Sequence, residues 1–227
     1  RKKAEQPAAE TKAQTGKIAL TPYNFGTYFS YSLQATNVDM TPMQISRDSI
    51  YQGSYEADYV LTCEARSVFE IENVSFELVG KPQGLDLEDV VIHADMPASG
   101  SLTKTVHESG DLMTFSAEKE WASVKQATVN HVWGCLIVDD QEKADAANLA
   151  SFGALSLIDY PNAKEKADEA RNALMKAEAK KEEIYQKAVA LEEAEDYEQA
   201  ISIYEGLGDY KDCAERIMAC NEKNEKK

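Results

Sequence analysis

The sequence lacks any run of about 18 apolar residues, so no segment reads as a membrane-spanning helix. It has no Cys-x-x-Cys pair, which removes zinc-ribbon and thioredoxin-like readings. Neither a Gly-x-Ser-x-Gly elbow nor a glycine-rich phosphate cradle occurs, so nothing specifies acyl or phosphoryl transfer. Basic residues are scarce: 24 Lys and Arg against 40 Asp and Glu leave a net charge of −16. Cations cluster only at Arg1-Lys2-Lys3 and the Lys223–Lys227 end, which argues against nucleic acid or an anionic membrane surface as partner. The deficit is shared, with 11 basic and 19 acidic groups in residues 1–139 and 13 and 21 in residues 140–227. Acidity spread this evenly keeps a protein soluble and does not mark a special tail.

What is present suffices for a core. At 227 residues the chain is 43% hydrophobic and 28% charged, the balance of a globular protein of one large or two small domains. Residues 1–16 are polar, rich in Ala, Pro, Gln and Thr, and aperiodic, which is linker composition. The first residue is Arg, and a removed leader or membrane segment ahead of the linker is expected. The expected location is therefore extracytoplasmic, tethered to the cell membrane.

From Lys17 to Asp139 the apolar period is two. Phe69 and Ile71 share a face, and Val74, Phe76 and Leu78 continue it after a one-residue slip at Asn73, which predicts a bulge. Further strands are expected at Ile18–Leu20, Tyr31–Ala35, Asp58–Arg66, Val90–His93, Ser101–His107, Leu112–Ala117 and Lys125–Val138. Clusters at Gly80–Gly84, Pro97–Gly100 and Glu108–Asp111 read as turns between them. The pattern predicts an antiparallel β-sandwich of immunoglobulin or fibronectin type over residues 17–139. Thr21 as N-cap and Pro22 at the first helical position predict one short helix, with Phe25, Tyr28 and Phe29 on one side.

Beyond Asp139 the period becomes helical, giving a second part over residues 140–227 and an α+β chain. Ala163, Ala167, Ala170, Leu174, Ala177, Lys181, Ile184, Ala188 and Leu191 step by fours and threes, which predicts a helix of about 30 residues, roughly 45 Å long. A repeat is also visible. Leu157-Ile158-Asp159-Tyr160-Pro161-Asn162-Ala163 recurs as Leu207-Gly208-Asp209-Tyr210-Lys211-Asp212-Cys213, pairing a helix over 141–157 with one over 197–206.

Ala188, Leu191, Asp196-Tyr197, Ala200, Tyr204 and Leu207 occupy the small, turn and aromatic places of a helical hairpin. The stretch Tyr185–Cys220 resembles the tetratricopeptide repeat, cut short by Gly206 and Gly208 and lacking the usual proline. The β domain followed by this tail looks like bacterial cell-envelope proteins of no assigned role. The resemblance implies protein–protein contact or a structural spacer, in a groove lined by Tyr185, Ala188, Leu191 or Tyr204.

Other chemistry is sparse. Cys63 and Cys135 lie on expected strands and read as two separate buried thiols, with an inter-sheet disulfide as the alternative. Cys213 and Cys220 read as small core residues. His93, His107 and His131 show no ligand spacing, so no metal and no cofactor are expected. The acidic clusters Asp86–Asp89 and Asp139–Glu142 fall in turns, Asp140 as a helix N-cap. Six tyrosines crowd residues 23–59, where Tyr28 and Tyr55 are candidates for an exposed, sugar-stacking platform. Trp121 and Trp133 are expected in the core. The reading is a non-enzymatic protein-interaction or structural module. A carbohydrate-binding module on the Tyr/Phe-rich segment is the alternative, and a hydrolase with a site between the two parts stands third.

Overall fold

The computed structural model describes residues 15–45, 51–83, 87–114 and 122–225. The chain divides into two compact units, ending and beginning at Lys164 and Glu165. The change of rhythm at Asp139 therefore marks the change from strand to helix, while the unit boundary falls later, in the first turn of a long helix.

The first unit contains, among the described residues, seven antiparallel strands: β1 (Gly16–Ala19), β2 (Phe29–Ile45), β3 (Tyr51–Ala65), β4 (Glu70–Pro82), β5 (Val90–Asp95), β6 (Ser101–Thr114) and β7 (Val124–Val138). They form two sheets, ordered β1-β7-β4-β5 and β2-β3-β6. Alternation supplies the inner faces. Leu33, Tyr59, Leu61 and Cys63 come from the three-stranded sheet and Val74, Phe76, Leu78, Ile92, Val132 and Leu136 from the other, all in one buried cluster. The strand count is that of an immunoglobulin constant domain, but the pairing differs. There the first strand pairs with the second, and here β1 pairs with β7.

The slip at Asn73 is a bulge. Glu72 pairs with Cys135 and Ser75 with Trp133, so Asn73 and Val74 together face Gly134. Asn73 has φ 51°, and Gly134 has φ 94°. A Cβ at Gly134 would stand 2.4 Å from the Asn73 carbonyl oxygen, so only glycine fits there.

Two expectations fail in the three-stranded sheet. Glu108–Asp111 is not a turn: β6 runs through it, with Ser109, Gly110 and Asp111 opposite Glu56, Tyr55 and Ser54. A Cβ on Gly110 would stand 3.4 Å from the Tyr55 ring, an ordinary van der Waals contact, so the strand does not require glycine there. The strand expected at Tyr31–Ala35 extends to Ile45 through a register shift after Thr36, and Asn37 takes a left-handed conformation there. The Leu112–Ala117 strand is the end of β6 as far as Thr114, and residues 115–117 lie outside the described residues.

The early helix is a single turn, α1 (Phe25–Tyr28), with Asn24 at its N-cap in place of Thr21. Thr21 still caps the turn that leads into it: its hydroxyl accepts from the Asn24 N–H at 3.3 Å, its carbonyl accepts from the Asn24 and Phe25 N–H groups, and its hydroxyl lies 2.7 Å from that of Ser151. Phe25 and Phe29 are fully buried and stack 4.8 Å apart. Ser151 belongs to α2 (Gln141–Leu155), capped by Asp140, whose carboxylate accepts from the Lys143 N–H at 3.1 Å. On the same helix, the Asn148 amide donates to the Lys17 carbonyl and accepts from the Ala19 N–H, holding β1. These bonds explain why α2 belongs with the sheets.

The second unit is built from the rest of α3 (Ala163–Glu193), with α4 (Tyr197–Leu207) and α5 (Cys213–Glu225). At 31 residues α3 is about 46 Å long. Asp196 caps α4 by accepting from the Gln199 N–H. The fifty-residue repeat is visible in the backbone. Ala163 N–H donates to the Tyr160 carbonyl and Cys213 N–H to the Tyr210 carbonyl, and each then opens a helix. Each turn holds two residues of positive φ three apart, Asp159 and Asn162 in the first and Gly208 and Lys211 in the second.

Candidate functional site

The strongest candidate surface is the outer face of the four-stranded sheet, where three strands align two rows. Trp133, Ser75 and Asp95 form one row across β7, β4 and β5, and His131, Glu77 and His93 the next. Directly opposed Cβ atoms lie about 5 Å apart, so the six side chains share one patch. Val132 and Leu136 point into the core, and the alternation turns Trp133 outward, 54% exposed. Its indole stacks on His131, centroids 5.9 Å apart and planes 24° apart. Glu77 stands between two imidazoles, 3.7 Å from His93 Nδ1 and 3.9 Å from His131 Nε2. Val91 is also exposed beside this face.

Farther along the same face, the Cys135 thiol donates to Glu72 at 3.0 Å, and Lys17 pairs with the same carboxylate at 2.6 Å. Lys17 and the thiol hold the Glu72 carboxyl below its ordinary range. Burial and the carboxylate push Cys135 up to about 11. Cys63, pushed up to about 12 by burial, is wholly enclosed in the core. Cys63 and Cys135 are two separate free thiols and not the alternative disulfide, on opposite sides of the sheet to which Cys135 belongs. The remaining histidine, His107, sits on the outer face of the other sheet, 2.9 Å from Asp58, which also accepts from Asn37 at 2.7 Å. The Asp58 bond raises the His107 pKa, and the bonds from Asn37 and His107 lower that of Asp58.

The expected helical groove is filled. Tyr185, Ala188 and Tyr204 are buried with Ala200, Cys213 and Cys220 as the interior of the second unit, and Leu191 packs half-buried against them. Small residues and aromatic rings on three helices interlock, so these side chains hold the unit together rather than line an opening. Their polar tips are tied as well. Tyr185 donates to Asp212, Tyr204 to Glu192 at 3.2 Å, and Tyr210 to Glu178 and Glu182 at 2.9 and 3.0 Å. Arg216 bridges Glu192 at 2.8 Å and Asp212 at 3.0 Å, Lys223 reaches Glu192 at 3.0 Å, and Lys211 pairs with Glu182. Donors from Lys211, Gln186 and Tyr210 lower Glu182 to about 2. Burial drives Tyr204 up to about 12.

The expected aromatic platform is also corrected. Tyr55 is 7% exposed in the core, and Tyr28 is half-buried, edge-on to Phe69. Tyr23 and Trp133 are the large aromatics exposed among the described residues, and strand alternation with Val132 and Leu136 was the signal that could have found Trp133. Trp121 lies outside the described residues.

A half-open hollow at one end of the sandwich is lined by Glu64, Ser67, Val68, Phe69 and Ser99, with a single carboxylate. Among the described residues, no three His, Cys, Asp or Glu side chains stand gathered as a ready metal site. No helix among them is long and apolar enough to cross a membrane. No family model, no curated protein and no solved structure matches this chain.

Proposed function

We propose that the chain is a non-enzymatic protein-interaction or structural module whose contact surface is the sheet face around Trp133. The observation that carries this is the indole itself: a large ring more than half exposed on a rigid sheet, rimmed by Ser75, Glu77, His93 and Asp95. An aromatic anchor inside a polar rim has the composition of a protein-interface hot spot. The tetratricopeptide-like helical unit serves in this reading as a spacer, since its tyrosines are engaged internally.

The electrostatics support a non-catalytic role. Resolved shifts lower the carboxylates Asp58, Glu72, Asp140, Glu182, Glu192 and Asp212 and raise Tyr59, Tyr204, Cys63 and Cys135. These directions move those carboxylates, tyrosines and thiols away from the mid-range where general acids and bases work, and His107, which is raised within it, is bonded to Asp58 on the outer face of the other sheet.

The test is a photoreactive residue placed at position 133 and, as a control, at the exposed Thr103 of the other sheet. A discrete adduct from position 133 alone supports the reading; the same pattern from both positions contradicts it. A sugar ligand is the second reading, favoured by the near-parallel Trp133 and His131 rings. Glycan-array signal lost in Trp133→Ala, without a protein adduct, would select it.

A further inference from the structure

We propose that β6 pairs antiparallel with β6 of a second copy of this chain, joining two three-stranded sheets edge to edge. The described residues have four edge strands, β1 and β5 in one sheet and β2 and β6 in the other. An edge offers a row of free N–H and C=O groups, and chains that stay single block it. Three of these edges are blocked. The Asn148 amide takes the Lys17 carbonyl and the Ala19 N–H on the outer side of β1. β2 is broken by register shifts after Thr36 and after Pro42, and Pro42 has no N–H to give. β5 has only 6 residues, and Lys104 donates to its His93 carbonyl at 2.6 Å. β6 carries none of these devices. Its 14 residues contain no proline and pair with β3 without a register shift, and among the described residues no other strand borders it.

The side chains point to the occupant. A two-fold axis through a strand edge sets residues equally far from the axis opposite each other, on one face of the joined sheet. With Val106 on the axis, Lys104 stands opposite Glu108 of the second copy, and the pair recurs on the other side. Opposed side chains lie about 5 Å apart, within reach of this pairing. Lys104 is exposed, and an ammonium with three donors can serve both the His93 carbonyl and that carboxylate. Val106 packs half-buried against the β core, so meeting its own copy carries the apolar layer across the joint. On the outer face the same register sets Thr103 opposite Ser109 and Thr105 opposite His107. Neighbouring registers lose the match. Centring on His107 brings two histidines together, and centring on Glu108 sets two carboxylates face to face. The charge pattern of β6 is thus complementary to itself. The inference is independent of the surface around Trp133, which lies on the other sheet.

The experiment is sedimentation equilibrium of the full chain over a wide concentration range at neutral pH. The mean mass should rise from one chain toward two and stop there, because the pairing uses both β6 edges. Lys104→Glu and Glu108→Lys should each weaken association by roughly tenfold, since each change recurs on both sides of the axis. Combining the two should restore it, and circular dichroism should remain that of the parent throughout. Trp133→Ala should leave association unchanged. The register is read by oxidation: Val106→Cys should link two chains, whereas Asp111→Cys, opposite Ser101, should not exceed the parent. A photoreactive residue at Thr103 should yield a product of two chains, distinct in mass from any adduct with another protein. A single chain's mass at every concentration overturns the proposal. So does association that Lys104→Glu leaves untouched, that the combined variant fails to restore, or that Trp133→Ala abolishes, and so does linkage at 111 equal to that at 106.

Discussion

In the helical unit Tyr185, Tyr204 and Tyr210 are drawn among the helices and hydrogen-bonded to Asp212, Glu192, Glu178 and Glu182, whereas in the β unit Trp133 turns out of its sheet into solvent. The reason lies in how much apolar surface each unit has to bury. Among the described residues, the β unit's cluster holds 22 buried side chains and the helical unit's six, two of them tyrosines. A core that small needs its aromatic rings inside, with their hydroxyls satisfied by charged partners. The β unit has Phe25, Phe29, Phe76 and Leu61 to fill its interior, which leaves an indole available for contact.

The comparison breaks most sharply in the β core. Phe76→Ala removes a fully buried ring and should cost about 3–5 kcal/mol. Denaturation followed at sheet-sensitive wavelengths should show the loss, with the helical signal unfolding at its original midpoint. Gly134→Ala comes next, at roughly 2–4 kcal/mol, because the added Cβ meets the Asn73 backbone at a φ that side chains avoid. A neutral result in chemical denaturation would mean that the bulge can relax.

In the helical unit, Arg216→Met leaves Glu192 and Asp212 without their shared cation. The side chain is 31% exposed, so the cost should be about 1–2 kcal/mol, read from the 222 nm signal. The pH dependence sharpens the same point. Glu182, Glu192 and Asp212 have folded pKa values below their unfolded ones, so their contribution is full above about pH 4.5. It fades as pH falls through the folded values, near 2 for Glu182. The melting temperature of the helical signal should therefore fall between pH 5 and 2, about those limits, and fall less in Glu182→Gln.

The inward positions of the strands were legible because period two survives in Phe76–Leu78 and its neighbours. The lengths of β2, β3 and β6 were not, because Asn37, Pro42, Gly53 and Gly110 carry turn chemistry that pairing across three strands overrides. Likewise the repeat was legible at Tyr160 and Tyr210, where the same backbone bond opens a helix. Whether Tyr185, Ala188 and Tyr204 faced a partner or one another was not legible, since a seam of small residues and rings reads the same in both cases. The Glu77 pair with His93 and His131 was hidden for a different reason: their neighbourhood exists only once β5, β4 and β7 are laid side by side.

The smallest expected effect is also the most direct test, the unfolding free energy of Trp133→Ala. A ring turned out of the sheet should leave stability within about 0.5 kcal/mol of the parent. A loss of about 3 kcal/mol or more, the cost of emptying a core site, would put the indole inside the protein and contradict the contact surface proposed for it.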